Sequence, residues 1–334
     1  MALRYLWELI PVGNLKSKHV FITGCDTGFG HLLALKLLHN GINVFSACFT
    51  EKASSSKALS SLKVLSEWQG GEELKRKGSS LPGRLEVLCL DVRSDDSVSA
   101  ALEKVKQKLG EGGSLWGLVN NAGIVGVTGM DDFTNTADYR TVLEVNTLGV
   151  IRVTHAFKGL VKRGRGRIVT VASVIGRLGQ EGAGPYCVSK FAVEGYMETL
   201  RQEMYHFGVK AIVLEPGYFA TGLTEPASTI AMFRGLWLRA SSQLREDYGQ
   251  KYFDQMEKVV PRMLGTFVSA RTDYVVDAYY HALTAAFPRH RYHVGWDSLL
   301  FFIPLSITPT WFSDRLLRCL MTYFGMPKPA KAVQ

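Results

Sequence analysis

Among the thirteen tyrosines of this 334-residue chain, Tyr186 alone has a lysine four residues on, Lys190. A phenol is a poor acid–base group at neutral pH, because its ordinary pKa lies at about 10. An ammonium held beside it favours the phenolate and draws that value down. At a spacing of four on a helix the two side chains share one face. Taken alone, the pair reads better as two solvated side chains on one helix turn. The neighbouring sequence favours chemistry. Ser173, thirteen residues before Tyr186, follows the apolar run Ile168-Val169-Thr170-Val171. From there its hydroxyl can bind a substrate oxygen and hold it against the phenol.

Moving a proton at an alcohol or carbonyl also requires something to carry the hydride. The first apolar run, Val20-Phe21-Ile22, leads straight into Thr23-Gly24-Cys25-Asp26-Thr27-Gly28-Phe29-Gly30 and then an apolar helix. Glycines there permit a tight turn and let backbone approach a pyrophosphate at a helix N-terminus, where free N–H groups and the dipole favour negative charge. Thr23, Gly24, Asp26, Thr27, Gly28, Phe29 and Gly30 are therefore candidate dinucleotide contacts. So are Asn120, Ala122 and Gly123, whose small neighbours leave room for a cofactor, and Pro216, Gly217 and Thr221, whose hydroxyl can reach a nicotinamide carboxamide. An acidic residue after the second strand binds the ribose of NAD, and a basic one binds the NADP phosphate. Here Cys48 is neither, Glu51 is close and Lys52 is the only base, which favours NAD over NADP. Asn146 is polar within an apolar helical pattern, a placement that calls for a dedicated partner.

The elements that must position these residues follow from hydrophobic patterning. Runs at Val20–Ile22, Val44–Phe45, Leu85–Leu88, Leu118–Val119, Ile168–Val171 and Ala211–Leu214 alternate with helix-length segments. Continuous rather than alternating hydrophobicity means strands buried on both faces, hence a parallel sheet. Right-handed crossovers then predict an α/β doubly wound Rossmann-type sheet with helices on both faces. Two segments depart from the rhythm. Residues 52–83, with Gly70-Gly71 inside, read as a broken surface helix and loop. Residues 221–271 read as a helical lid over the substrate.

Hydrophobic residues make up 46% and charged residues 21% of the chain, which excludes a disordered chain and a polytopic membrane protein. The formal charge of +9 is scattered and has no nucleic-acid-binding motif with it, so an anionic membrane surface suits it better than nucleic acid. Five cysteines without a C-x-x-C pair read as reduced thiols. The eight histidines show no metal spacing, and no metal site is expected.

In order and spacing, T-G-x-x-x-G-x-G, N-N-A-G, Ser followed by Y-x-x-x-K, and P-G-x-x-x-T resemble the short-chain dehydrogenase/reductase family over roughly Lys18 to Thr221. The resemblance implies that Tyr186 is the catalytic acid–base and Ser173 the substrate-orienting hydroxyl. It implies that Lys190 binds the nicotinamide ribose and lowers the tyrosine pKa, that Asn146 holds a water in the proton relay, and that Asp91 contacts adenine. Leu115 to Gly123, Tyr186 to Phe191 and the ending Pro327-Lys328-Pro329-Ala330 look like the retinol dehydrogenase and hydroxysteroid dehydrogenase branch. That likeness implies an NAD-linked enzyme of the endoplasmic reticulum acting on a lipophilic alcohol or carbonyl. A retinol is the first expectation and a 3α- or 17β-hydroxysteroid the alternative. Relatives of this kind commonly pair as homodimers through the helices containing Asn146 and Tyr186. A non-catalytic dinucleotide-binding protein is the distant alternative, and the full set of reactive residue types speaks against it.

Residues 1–17 form an N-terminal segment too short to span a membrane, 18–296 the dehydrogenase domain, and 297–334 a C-terminal segment. No residue from Ser298 to Ser313 is charged, and Asp314 to Phe324 is amphipathic with basic and aromatic residues. This pattern predicts peripheral, in-plane membrane association; the alternatives are a dimer contact or a helix folded onto the body.

Overall fold

The computed structural model describes residues 8, 10–49 and 61–332. Seven parallel strands stand in the order 3-2-1-4-5-6-7. They are β1 (His19–Thr23), β2 (Asn43–Cys48), β3 (Leu85–Cys89), β4 (Gly117–Asn120), β5 (Arg167–Val171), β6 (Lys210–Pro216) and β7 (Arg291–Val294). The six expected strands are present. The seventh, Arg-Tyr-His-Val, alternates buried and half-buried residues because it is an edge strand, so it lacks the continuous apolar run that marks the others.

Helices cover both faces. On one side α1 (Gly28–His39), α2 (Ser61–Gly78) and α10 (Asp273–Thr284) pack against Val20, Ile22, Val119 and Ile212. On the other, α3 (Asp95–Leu109), α5 (Gly149–Arg163) and α6 (Gly184–Tyr205) pack against Phe21, Leu118 and Ile168. There the Phe21 and Phe157 rings stack with centroids 4.2 Å apart. Helix α4 (Thr136–Leu143) runs into α5 through a π-helical turn, Glu144–Leu148, which contains Asn146.

The expected break at Gly70-Gly71 does not occur; α2 is continuous through both. A Cβ at Gly70 would sit 2.0 Å from the Asp26 carbonyl oxygen, so that glycine lets the helix pack against the first turn. Residues 52–60, including Lys52, lie outside the described residues, as do Thr50 and Glu51. Among the described residues no disulfide forms; Cys25, Cys48 and Cys187 are buried, whereas Cys89, on an edge strand, and Cys319 are exposed.

After β6 the chain builds a helical layer of α7 (Pro226–Arg239), α8 (Ser242–Tyr248) and α9 (Gln250–Phe267) where the lid was expected. After β7 come a π turn (Ser298–Phe302), α11 (Ile303–Ser306) and α12 (Thr310–Phe324), with Pro309 at the α12 N-cap. The tail returns to the layer: the Ala330 and Lys331 amides donate to the Tyr248 and Asp247 carbonyls. Among the described residues no helix is long and apolar enough to cross a membrane.

Candidate active site

The strand order reverses between β1 and β4, and the carboxyl ends of a parallel sheet open a crevice at such a switch point. A cleft of about 710 Å³ lies there. At its first corner Gly24 (φ 69°) and Gly28 (φ 62°) adopt left-handed conformations that favour glycine. Thr27, the N-cap of α1, makes no side-chain capping bond, so the leading amides of α1 keep their donors for a ligand. That donor set fits the pyrophosphate of a dinucleotide.

Not every candidate faces the cleft. Gly24, Asp26, Thr27, Gly28, Phe29, Asp91, Ala122, Gly123, Ser173, Tyr186, Lys190, Pro216, Gly217 and Thr221 line it, whereas Thr23, Gly30, Asn120 and Asn146 stand behind its wall. Thr23 Oγ accepts hydrogen bonds from the Asn121 and Ala122 amides (3.0 and 3.1 Å), tying the end of β1 to the end of β4. Asn120 is buried and donates to Thr154 and Thr170 (2.9 and 3.2 Å). Its neighbour Asn121, which sequence reasoning passed over, lines the cleft and donates to the Thr23 and Gly24 carbonyls (3.0 and 2.9 Å). The doubled Asn was the available signal: consecutive strand residues face opposite sides, so only one can serve the cleft.

At the far corner Asp91 is buried, and its carboxylate accepts a two-pronged bond from Arg93 (2.8 and 2.9 Å). The Arg93 guanidinium lies 5.3 Å from the Phe49 ring centre, just past β2. A search for bases along the β2 sequence could not find this arginine, because β3 delivers it.

The reacting group is assembled from three elements. Two residues past β5, Ser173 caps a short turn by accepting from the Ile175 amide (3.3 Å), with its hydroxyl beside the Tyr186 phenol. Tyr186 and Lys190 lie on the first turns of α6. Lys190 Nζ stands 5.5 Å from the Tyr186 ring centre and donates to the Val171 carbonyl (3.0 Å). The expected depression of the phenol does not appear in the protein alone. Burial dominates, pushing Tyr186 up to about 12 against the opposing pull of the Ser173 hydroxyl. Burial also brings Lys190 down to about 8, with Glu194 acting the other way.

Asn146 has the dedicated partners its mid-helix position demanded. It accepts from the Ile124 amide (2.8 Å) and donates to the Ile124 carbonyl (2.8 Å) and Ser189 (3.0 Å). Its side chain is thus occupied by protein and braces the loop after β4 against α6. A Cβ at Gly123 would come within 3.3 Å of Asn146 Oδ1 and 3.9 Å of Lys190 Nζ, so glycine keeps that passage open.

A cleft residue, Tyr218, and the buried carboxylate behind it, Asp297, were absent from the sequence reading. The Tyr218 hydroxyl donates to Gln180 Oε1, bridging the β6 and β5 loops near Tyr186. Buried Asp297 accepts from the Tyr218 amide (2.7 Å) and fills the space a side chain at Gly217 would need. Beyond them the wall is apolar: Met256, Leu264, Phe267 and Phe302 face Leu317, Leu320 and Met321 of α12.

This sheet order, glycine turn and Ser–Tyr–Lys cluster define an oxidoreductase of the short-chain type. The sequence model for short chain dehydrogenases matches residues 18–230, and the chain belongs to that family, whose members use a nicotinamide dinucleotide. It is 43% identical over 331 residues to 17-beta-hydroxysteroid dehydrogenase type 6 of Homo sapiens, covering 99% of this chain and 96% of that one. It is 41% identical over 340 residues to retinol dehydrogenase 16 of Rattus norvegicus, covering 100% and 98%. Among solved structures it resembles a short-chain dehydrogenase from Streptomyces avermitilis (TM-score 0.61, 22% identity, 92% and 96% of the two chains). It also resembles a variant of actinorhodin polyketide ketoreductase with NADPH (TM-score 0.61, 23% identity, 87% and 100%).

Proposed function

We propose that this protein is an NAD-dependent dehydrogenase that interconverts a lipophilic alcohol and its carbonyl, a retinol first and a 3α- or 17β-hydroxysteroid second. The observation that carries the reading is Ser173, Tyr186 and Lys190 lining one cleft whose opposite wall is apolar. The 43% likeness to a hydroxysteroid dehydrogenase supports the second substrate class.

In this mechanism the Ser173 hydroxyl and the Tyr186 phenol bind the substrate oxygen. Tyr186 takes the alcohol proton during oxidation and returns it during reduction. The bound nicotinamide supplies the hydride acceptor or donor. Lys190 supplies the positive charge that the phenolate needs in so buried a place. Asn146 keeps the β4 loop and α6 in register around the proton path, with a water beside it as the family resemblance implies. NAD is preferred on charge. Arg93 and Lys190 are the only cations among the described residues lining the cleft, and Arg93 is held by Asp91, leaving little net charge for a ribose phosphate. The test is a panel of all-trans and 11-cis retinol against 3α- and 17β-hydroxysteroids, each with NAD and NADP, using purified protein in detergent or liposomes. Stoichiometric dinucleotide binding with no turnover on any of them would sink the reading.

Peripheral association with the endoplasmic reticulum membrane belongs to the same proposal. Leu300 (76% exposed), Ile307 (78%) and Trp311 (70%) project outward from the C-terminal segment whose other face walls the cleft. Basic Arg315 and Arg318 accompany them on α12. A Leu300→Glu, Trp311→Glu double variant should lose at least about tenfold in liposome binding, with turnover of a short water-soluble alcohol kept. Undiminished flotation with vesicles would refute it. Exposed Leu148, Val188 and Phe191 near α5 and on α6 support pairing of two copies along those helices.

A further inference from the structure

One helix turn beyond Lys190, Glu194 enters the gap between α6 and the strands β6 and β7. It is buried (6% exposed), and so is Glu215 on β6 (0%). Arg291 of β7 donates through Nη1 to both carboxyls, at 2.5 Å to Glu194 Oε2, and through Nη2 to Glu198 at 2.6 Å. His293 Nδ1 lies 2.5 Å from Glu215 Oε2, and Arg177 Nη1 lies 3.8 Å from Glu215. The titratable and charged groups around Glu194 are therefore Lys190 and Glu198 on α6, Glu215 on β6, Arg291 and His293 on β7, and Arg177 after β5.

Arg291 Nη1 bridges Glu194 and Glu215, so the two buried carboxyls are held as like-charged neighbours under one guanidinium. Burial, reinforced by Glu215, raises Glu194 to about 7 against the pull of Arg291. Burial also raises Glu215, but His293 and Arg291 together outweigh it and keep that carboxyl ionised. Packing holds Glu194 in place: a Cβ at Gly176 would lie 3.2 Å from Glu194 Cγ and 3.0 Å from the Lys190 carbonyl oxygen.

We propose that Glu194 is a positioning residue for Lys190: its buried carboxyl, fixed one helix turn away beneath Arg291, sets how firmly the site holds the Lys190 ammonium, and with it the alkaline limit of alcohol oxidation. The proposal rests on the reading of Tyr186 and Lys190 as the reacting pair. A carboxylate one turn away favours the ammonium, and removing its charge lets the lysine lose its proton earlier.

Two measurements test it. In the pH profile of kcat/KM, Glu194→Gln should move the alkaline limb down by about one unit. In cofactor-free protein, competitive acylation of the Lys190 amine with acetic anhydride, read on its peptide by mass spectrometry, should show the same displacement. Glu194→Asp should restore part of both shifts. Glu215→Gln should move both upward, because Glu194 then ionises without a like-charged neighbour. Glu198→Gln removes an exposed partner of the same arginine and should move neither. A purely structural role would lower activity by one factor at every pH and leave the amine midpoint in place, and that result would overturn the proposal. If Glu194→Gln does not fold, unmoved midpoints in Glu194→Asp and Glu215→Gln overturn it equally. An amine midpoint that shifts in a protein without turnover on any alcohol leaves the Glu194 inference standing and removes the functional reading instead.

Discussion

Tyr186→Phe is expected to lower kcat by about a thousandfold while dinucleotide affinity stays nearly unchanged. The substitution removes one oxygen. The ring remains and keeps its packing beside Val174, Ile175, Cys187 and Phe302. The phenol's polar contact with the Ser173 hydroxyl is lost, which costs at most about 1 kcal/mol of stability and leaves the fold intact. No other described residue in the cleft can replace the lost group: Ser173 has no base to activate it, and Lys190 is engaged with the Val171 carbonyl. Tyr218 comes nearest in chemistry, but burial pushes its phenol even further up, and its hydroxyl is committed to Gln180. Steady-state rates, dinucleotide titration calorimetry and a thermal melt on one preparation decide the matter. Retention of more than about a tenth of wild-type kcat would show that another group carries the proton.

Gly30→Ala is the second large effect, and it acts on the other half of the site. Gly30 lies in the first turn of α1 and does not touch the cleft. A Cβ there would stand 2.3 Å from the Gly24 carbonyl oxygen and 2.5 Å from Asn121 Nδ2. Both are rigid: the first is backbone, and the second is an amide already bonded to the Thr23 and Gly24 carbonyls. To admit one methyl, the strand-to-helix turn must open and Asn121 must release the end of β1. We expect a loss of about 3 kcal/mol in stability, and dinucleotide affinity at least about tenfold weaker, because the α1 amides no longer converge. Denaturant unfolding and calorimetric titration would measure both, and a variant with wild-type affinity would show that the turn is more pliant than its contacts indicate.

Much of this was legible from residue order because the information is local. A strand buried on both faces must be apolar throughout, so six of the seven strands announced themselves. A phosphate-binding turn needs glycine where φ is positive, as at Gly24 and Gly28. A tyrosine and a lysine one helix turn apart share a face wherever that helix goes. Asn146 required a partner simply because a polar amide sat in an apolar pattern.

What three-dimensional packing decided is which side of each element meets which neighbour. Residue order could not tell Asn120, turned toward Thr154 and Thr170, from Asn121, turned into the cleft, since that depends on the pleat and the strands alongside. It could not bring Arg93, after β3, to Phe49 after β2, or Leu317 and Met321 of α12 to the substrate wall. Nor could it pair Glu194 with Glu215 beneath Arg291. Their charges and the depth of the Tyr186 phenol are properties of burial, and burial exists only once separate stretches of chain have closed on one another.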